Sequence, residues 1–135
     1  MNDRTSLPAL IAIVDDEECV REALVSLLRS EGFAAEAFES ADTLFASGRL
    51  VDVACLVLDV RMPGIDGLQL QRGLVATGSR FPIVFITAHA GEAAREAALR
   101  LGAVDFLKKP FTDEALLEAV RRGLAHPAIP ASADN

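Results

Sequence analysis

Five side chains able to do chemistry stand at or just beyond the ends of short apolar runs. Asp15 and Asp16 follow LIAIV (10–14), Asp59 follows VACLVL (53–58), Thr87 follows PIVFI (82–86), and Lys109 follows AVDFL (103–107). A carboxylate at the tip of a buried segment needs water, a cation or a partner, because burying it unpaired costs several kcal/mol. Taken singly, each residue has a plainer reading. The run Asp15-Asp16-Glu17-Glu18 favours a helix N-terminus through the macrodipole, Asp59 caps the next helix, Thr87 is a turn hydroxyl and Lys109 a surface charge. Taken together in one pocket they read differently. Three carboxylates within a few ångströms repel and raise one another's pKa unless a hard divalent cation neutralises them. Mg²⁺ suits such oxygen ligands and keeps coordination positions open for a phosphate oxygen. A hydroxyl and an ammonium on the opposite wall complete an electrostatic clamp for phosphoryl transfer. Asp59 is then left as the nucleophile, and a carboxylate attacking phosphorus makes an acyl phosphate.

The elements that must bring these residues together are legible in the hydrophobic pattern. The runs 10–14, 53–58 and 82–86 are short and uniformly apolar, as strands buried on both faces are. Segments 33–38 and 103–107 are shorter or more mixed, which suits positions nearer the sheet edges. Helices are expected over 17–31, with Val20, Leu24, Leu27 and Leu28 on one face and a stop at Gly32, and over 41–48, 66–76, 91–101 and 113–125. The last of these turns Leu116, Leu117, Val120 and Leu124 inward. Alternation of strand and helix five times predicts an α/β fold: a doubly wound, five-stranded parallel sheet of flavodoxin-like order 2-1-3-4-5 with helices on both faces. That order sets the tips of strands one, three, four and five side by side.

Composition bounds what such a pocket can serve. The 135-residue chain is 51% hydrophobic and 24% charged, which fits one globular domain. Its net charge of −7 disfavours direct contact with nucleic acid. No uncharged run reaches the roughly 18–20 residues of a membrane span. The N-terminus lacks a secretory pattern, so a cytoplasmic location is expected. Cys19 and Cys55 lie far apart without metal-ligand spacing, so both are expected to be free thiols with no assigned role. Residues 1–7 read as a lead-in, 8–125 as the domain, and the Pro- and Ala-rich 126–135 as a flexible tail or the start of a linker.

The segments IAIVDDEE (11–18), LVLDVRMPGIDG (56–67), PIVFITAHAG (82–91) and DFLKKPF (105–111) occur in an order and at separations that resemble the receiver domain of bacterial two-component response regulators. The resemblance covers residues 8–125. It implies a chemotaxis-regulator-like fold and a phosphorylation-controlled signalling role, with self-phosphorylation and self-dephosphorylation as the domain's own chemistry and no turnover of other substrates. It makes Asp59 the phospho-acceptor, gives Asp15, Asp16, Asp59 and the Arg61 backbone carbonyl to Mg²⁺, and places the family's lysine at Lys109, before a cis Lys109–Pro110 bond. Thr87 and Phe106 fall on the switch pair, with Phe in place of the family's usual Tyr. The implied phosphoryl source is a histidine kinase or a phosphotransfer protein. The implied output surface is the face made by the fourth helix, fifth strand and fifth helix, where Arg95, Arg100, Lys108, Arg121 and Arg122 mix with Glu92, Glu96, Asp105 and Glu118 and suit a homodimer formed on phosphorylation. DVRMPGIDG looks most like receivers joined to helix-turn-helix transcription factors, so a DNA-binding effector is expected if the chain continues.

Two other readings compete. A phosphohydrolase of the haloacid dehalogenase type also uses an Asp nucleophile, Mg²⁺ and Lys, but would need a second Asp where Arg61 stands. A receiver-like interaction module that never takes phosphate would not need the acidic residues, Thr87 and Lys109 that are all present here.

Overall fold

The computed structural model describes residues 9–61, 66–76, 78, 81–88 and 91–125. Five parallel strands, β1 (Leu10–Val14), β2 (Ala34–Phe38), β3 (Val53–Asp59), β4 (Ile83–Thr87) and β5 (Asp105–Lys108), form one sheet in the order β2-β1-β3-β4-β5. The helices are α1 (Glu18–Ser30), α2 (Ala41–Ser47), α3 (Gly67–Ala76), α4 (Glu92–Arg100) and α5 (Asp113–Leu124). The expected fold class and strand order are both present, with the two weaker strands at the edges.

Side chains alternate across each strand, and the alternation divides the core in two. Ala12 and Val14, Leu56 and Leu58, and Ile83 and Phe85 face α2, α3 and α4, where Leu44, Leu70 and Ala98 meet them. Ile11 and Ile13, Cys55 and Val57, and Val84 and Ile86 face α1 and α5, against Leu24, Leu28, Leu116 and Val120. Strands covered on both faces have no polar side to show, which is why their sequences lack the period of two. Burial holds Cys55 as an unionised thiol, its pKa pushed up to about 12, and Cys19 is exposed and free.

Several boundaries differ from expectation by a residue or two. Asp59 and Thr87 lie inside β3 and β4, because ladder pairing continues through Asp59 opposite Ile86 and Thr87 opposite Lys108. β4 starts at Ile83, since Pro82 has no N–H to give. β5 starts only at Asp105; Ala103 is tied back to α4 through its N–H, which donates to the Ala98 carbonyl. α1 starts at Glu18 because the Glu17 N–H is taken by the Asp15 carboxylate at 2.8 Å, holding Glu17 extended as the N-cap. Val20, Leu27 and Leu124 are only partly buried, whereas Leu24, Leu28, Leu116, Leu117 and Val120 are buried as expected. A 3₁₀ turn at Arg49–Asp52, entered through Gly48 at φ 74° and spanned by an exposed Arg49–Asp52 ion pair at 3.1 Å, was not signalled by any apolar period. The expected lead-in (1–7) and tail (126–135) lie outside the described residues, as does 62–65 of the turn after β3. Among the described residues, no helix is long and apolar enough to cross a membrane.

Candidate functional site

Parallel strands present their carboxyl ends together, and here those ends enclose a hollow of about 220 Å³ lined by Asp16, Glu17, Asp59, Arg61, Thr87, Ala88 and Lys109. Asp15 lies beneath it, fully buried. Every site residue expected from the sequence except Phe106 is therefore at this end, around or directly under one opening. Carboxylate oxygens of Asp15, Asp16 and Asp59 all lie within 4.8 Å of one another. Three hard oxygen donors, two of them buried, fit a divalent cation better than any neutral ligand.

Each carboxylate is oriented by the backbone around it. Asp15 accepts from the Glu17 N–H through Oδ1 and from Lys109 Nζ through Oδ2 at 3.2 Å, while its carbonyl accepts from Arg21 Nη1 at 2.8 Å. Asp59 accepts the Arg61 N–H on Oδ1 at 3.0 Å, leaving Oδ2 toward Lys109 at 3.6 Å. Lys109 also reaches Glu17 Oε1 at 3.5 Å, and its own N–H donates to the Thr87 carbonyl at 2.7 Å. The Lys109–Pro110 bond is cis, as the resemblance implied. One ammonium thus stands among three carboxylates that come from the ends of β1 and β3.

The electrostatics follow from crowding and burial. Burial raises the Asp59 pKa most; the Arg61 N–H lowers it, the Asp15 charge raises it again and Lys109 lowers it, with the net result about 6. Burial works to lower the pKa of Lys109, but its hydrogen bond to Asp15 and the charges of Asp15, Asp59 and Glu17 together raise it. The lysine is therefore held as a cation. Burial and the neighbouring Asp15 charge leave the Asp59 carboxylate poorly disposed to ionise.

Phe106 lies one layer away, on the α4 side of the sheet. Its ring is already largely buried, tilted 43° against Phe85 at a centroid separation of 5.8 Å. It borders a separate hollow of about 250 Å³ shared with Gly91, Glu92, Arg95 and Lys108. An inward turn of this ring would therefore hide little additional surface.

Two contributors escaped sequence reasoning. Glu17 read as part of a helix-favouring acidic run, yet it helps hold Lys109; its adjacency to Asp15-Asp16 was the available signal. Gly67 read only as part of the helix expected over 66–76. A Cβ there would stand 2.7 Å from the Asp59 carbonyl oxygen and 3.0 Å from the Phe85 ring, so α3 can start against the Asp59 backbone only without a side chain. The Gly67 N–H donates to the Val60 carbonyl at 2.9 Å in that contact. Gly67→Ala is expected to cost about 1–3 kcal/mol by overpacking, measured as a lowered denaturation midpoint; a midpoint equal to that of the unaltered chain would show that the helix start can yield freely.

The family model for the response regulator receiver domain matches residues 11–121. The response regulator protein TodT of Pseudomonas putida is 44% identical over 124 residues, covering 92% of this chain and 53% of TodT. The transcriptional regulatory protein FixJ of Azorhizobium caulinodans is 42% identical, over 91% of this chain and 57% of FixJ. The chain thus spans about half the length of the curated relatives it matches. Among solved structures, FixJ-N superposes with a TM-score of 0.78 at 38% identity, covering 89% of this chain and 96% of that one. The response regulator StyR superposes at 0.79 with 45% identity, over 88% and 60% of the two chains. These likenesses do not favour a dehalogenase-type hydrolase, whose second Asp is replaced by Arg61. By the extent of the family match and the identity of its relatives, the chain belongs to the receiver domains of two-component response regulators, a family of signalling domains.

Proposed function

We propose that Asp59 accepts a phosphoryl group from a histidine kinase or a phosphotransfer protein and that the resulting acyl phosphate changes the packing of the α4–β5–α5 face. The observation that carries this reading is the meeting of Asp15, Asp16, Asp59 and Lys109 around one opening, with Asp59 buried on one side and reachable on the other. The carboxylates of Asp15, Asp16 and Asp59, with the Arg61 carbonyl, are the groups that would hold Mg²⁺. Bound there, the ion supplies charge neutralisation and polarises a phosphoryl oxygen.

The rest is done by the chain's own residues. The Arg61 N–H fixes one oxygen of Asp59, leaving the other to attack phosphorus as the bond from phosphorus to the donor's leaving atom breaks. Lys109 exchanges its resting carboxylate partners for the incoming phosphoryl oxygens. The Thr87 hydroxyl, at the end of the neighbouring strand, turns toward the same oxygens, and Phe106, packed through Phe85, repacks behind it. The domain spans residues 8–125, supported by elements that run from Leu10 to Leu124, with 1–7 as lead-in and 126–135 as tail or linker.

A second copy of the chain is the proposed partner of the α4–β5–α5 face in the phosphorylated form. Its charges are partly spent within the chain: Arg122 pairs with Asp105 at 2.7 Å, Arg121 with Glu31 at 3.4 Å and Arg95 with Glu92 at 3.5 Å. These exposed pairs are weak and exchange readily, so a two-fold contact would re-pair them. A DNA-binding effector is the proposed output, on the strength of relatives of which the matched region covers only 53% and 57%, one of them named a transcriptional regulatory protein.

Incubation with acetyl phosphate and Mg²⁺ is expected to add one phosphoryl group per chain by intact-protein mass spectrometry, and chelation should prevent it. Calorimetry should show Mg²⁺ binding weakened on the order of tenfold or more in Asp16→Ala. Uptake that is indifferent to chelator, or unchanged Mg²⁺ affinity in the variant, would remove the acidic cluster from its role.

A further inference from the structure

The three carboxylates that hold Lys109 are not equivalent. Asp15 and Asp59 are buried and belong to the cluster whose oxygens could share a cation. Glu17 stands outside that cluster, at the lip of the opening, with its side chain 64% exposed and Oε1 3.5 Å from Lys109 Nζ. Once a cation meets the charges of Asp15 and Asp59, the charge of Glu17 remains.

Helix chemistry does not account for that charge. Glu17 is the N-cap of α1, a position where Ser, Thr, Asp or Asn would accept from a first-turn N–H. Its side chain makes no such bond. The backbone is pinned on both sides instead: its N–H donates to Asp15 Oδ1 at 2.8 Å, and its carbonyl accepts the Arg21 N–H at 3.1 Å. The carboxylate is left to face the lysine and the hollow onto which Asp59 opens.

A negative charge held there acts on an incoming phosphoryl donor in two ways. It competes with the phosphoryl oxygens for Lys109 whatever the donor, and it repels each donor in proportion to the donor's own negative charge. Donor chemistry separates the two effects. Acetyl phosphate is a dianion near neutral pH, whereas phosphoramidate is protonated on nitrogen and is a monoanion overall.

We propose that Glu17 is a donor-specificity residue that weights phosphoryl acceptance toward N-phosphoryl donors and against the more highly charged acyl phosphates. This rests on Asp59 as the phospho-acceptor. In both transfers an Asp59 oxygen forms the new bond to phosphorus; the P–O bond breaks to release acetate in one, and the P–N bond breaks to release ammonia, with the protons the nitrogen already carries, in the other.

The test compares labelling rates with acetyl phosphate and phosphoramidate, read by intact mass at saturating Mg²⁺, on the unaltered chain, Glu17→Gln and Glu17→Lys. Glu17→Gln is expected to speed labelling by acetyl phosphate about threefold to tenfold and by phosphoramidate about twofold to threefold, because the repulsion removed scales with donor charge. Glu17→Lys should move the ratio of the two rates about twice as far on a logarithmic scale, and both shifts should shrink as salt rises from about 0.05 to 0.5 M. A role confined to placing Lys109 or starting α1 would change both donors alike; a donor ratio that stays unmoved in the two variants overturns this proposal while leaving Asp59 as the acceptor. Failure of the unaltered chain to label with either donor would overturn the phospho-acceptor reading and this one with it.

Discussion

Asp59→Asn is expected to lower phosphoryl uptake from acetyl phosphate by at least about two orders of magnitude, the scale on which losing a nucleophile acts. An amide is uncharged and far less nucleophilic, and the substitution keeps the shape of the side chain and the oxygen that accepts from the Arg61 N–H. Asp15 is fully buried, with its carboxylate committed to Glu17 and Lys109, so it is badly placed to substitute. Asp16 is exposed beside the same hollow and is the residue from which any slow residual labelling should come. Intact mass with peptide mapping separates the cases. Undiminished labelling of the variant would show that Asp59 is not the acceptor.

The same substitution is expected to stabilise the fold at neutral pH when divalent cations are chelated. Asp59 is about 6 in the folded chain against an ordinary 3.8, so the fold binds its proton more tightly than the unfolded chain does. Below about pH 4 the group is protonated in both states and costs nothing. As pH rises toward 6 the unfolded chain ionises first and stability falls; above that the penalty is complete, about 1–3 kcal/mol at 1.36 kcal/mol per pKa unit. Asparagine does not ionise and escapes it. Denaturant titrations of both proteins in chelator should show the variant more stable at pH 7–8 by about that amount, the gap closing toward pH 4. A gap independent of pH, or of opposite sign, would contradict the electrostatic account of the site.

What could be read beforehand was set by how local the cause is. Ile11, Val57 and Val84 announce buried strands because burial on both faces leaves its mark within five residues of sequence. Asp15, Asp59, Thr87 and Lys109 could be gathered because parallel order alone brings strand tips together. The triple pairing of Lys109 and the fit of Gly67 against the Asp59 carbonyl depend on how closely helices approach the sheet, a distance that no local pattern encodes. Phe106 could be placed next to the site, but that its ring is already buried on Phe85 depends on a rotamer settled by packing. The 3₁₀ turn at Arg49–Asp52 buries none of its residues, and so carried no periodic signal.

The contact at Gly67 bears on how variation at this site should be interpreted. The residue offers no functional group to metal or phosphate, yet any side chain there pushes on the Asp59 carbonyl. In a saturation library scored by signalling output, position 67 would therefore sort with Asp59 and Lys109 as intolerant, and a score alone would assign it a chemical duty it does not have. Paired abundance and activity scores would tell them apart: substitutions at Asp59 would deplete activity while leaving abundance intact, whereas substitutions at Gly67 would deplete both. The neighbourhood of Asp59 thus contains a position whose whole contribution is the room it leaves.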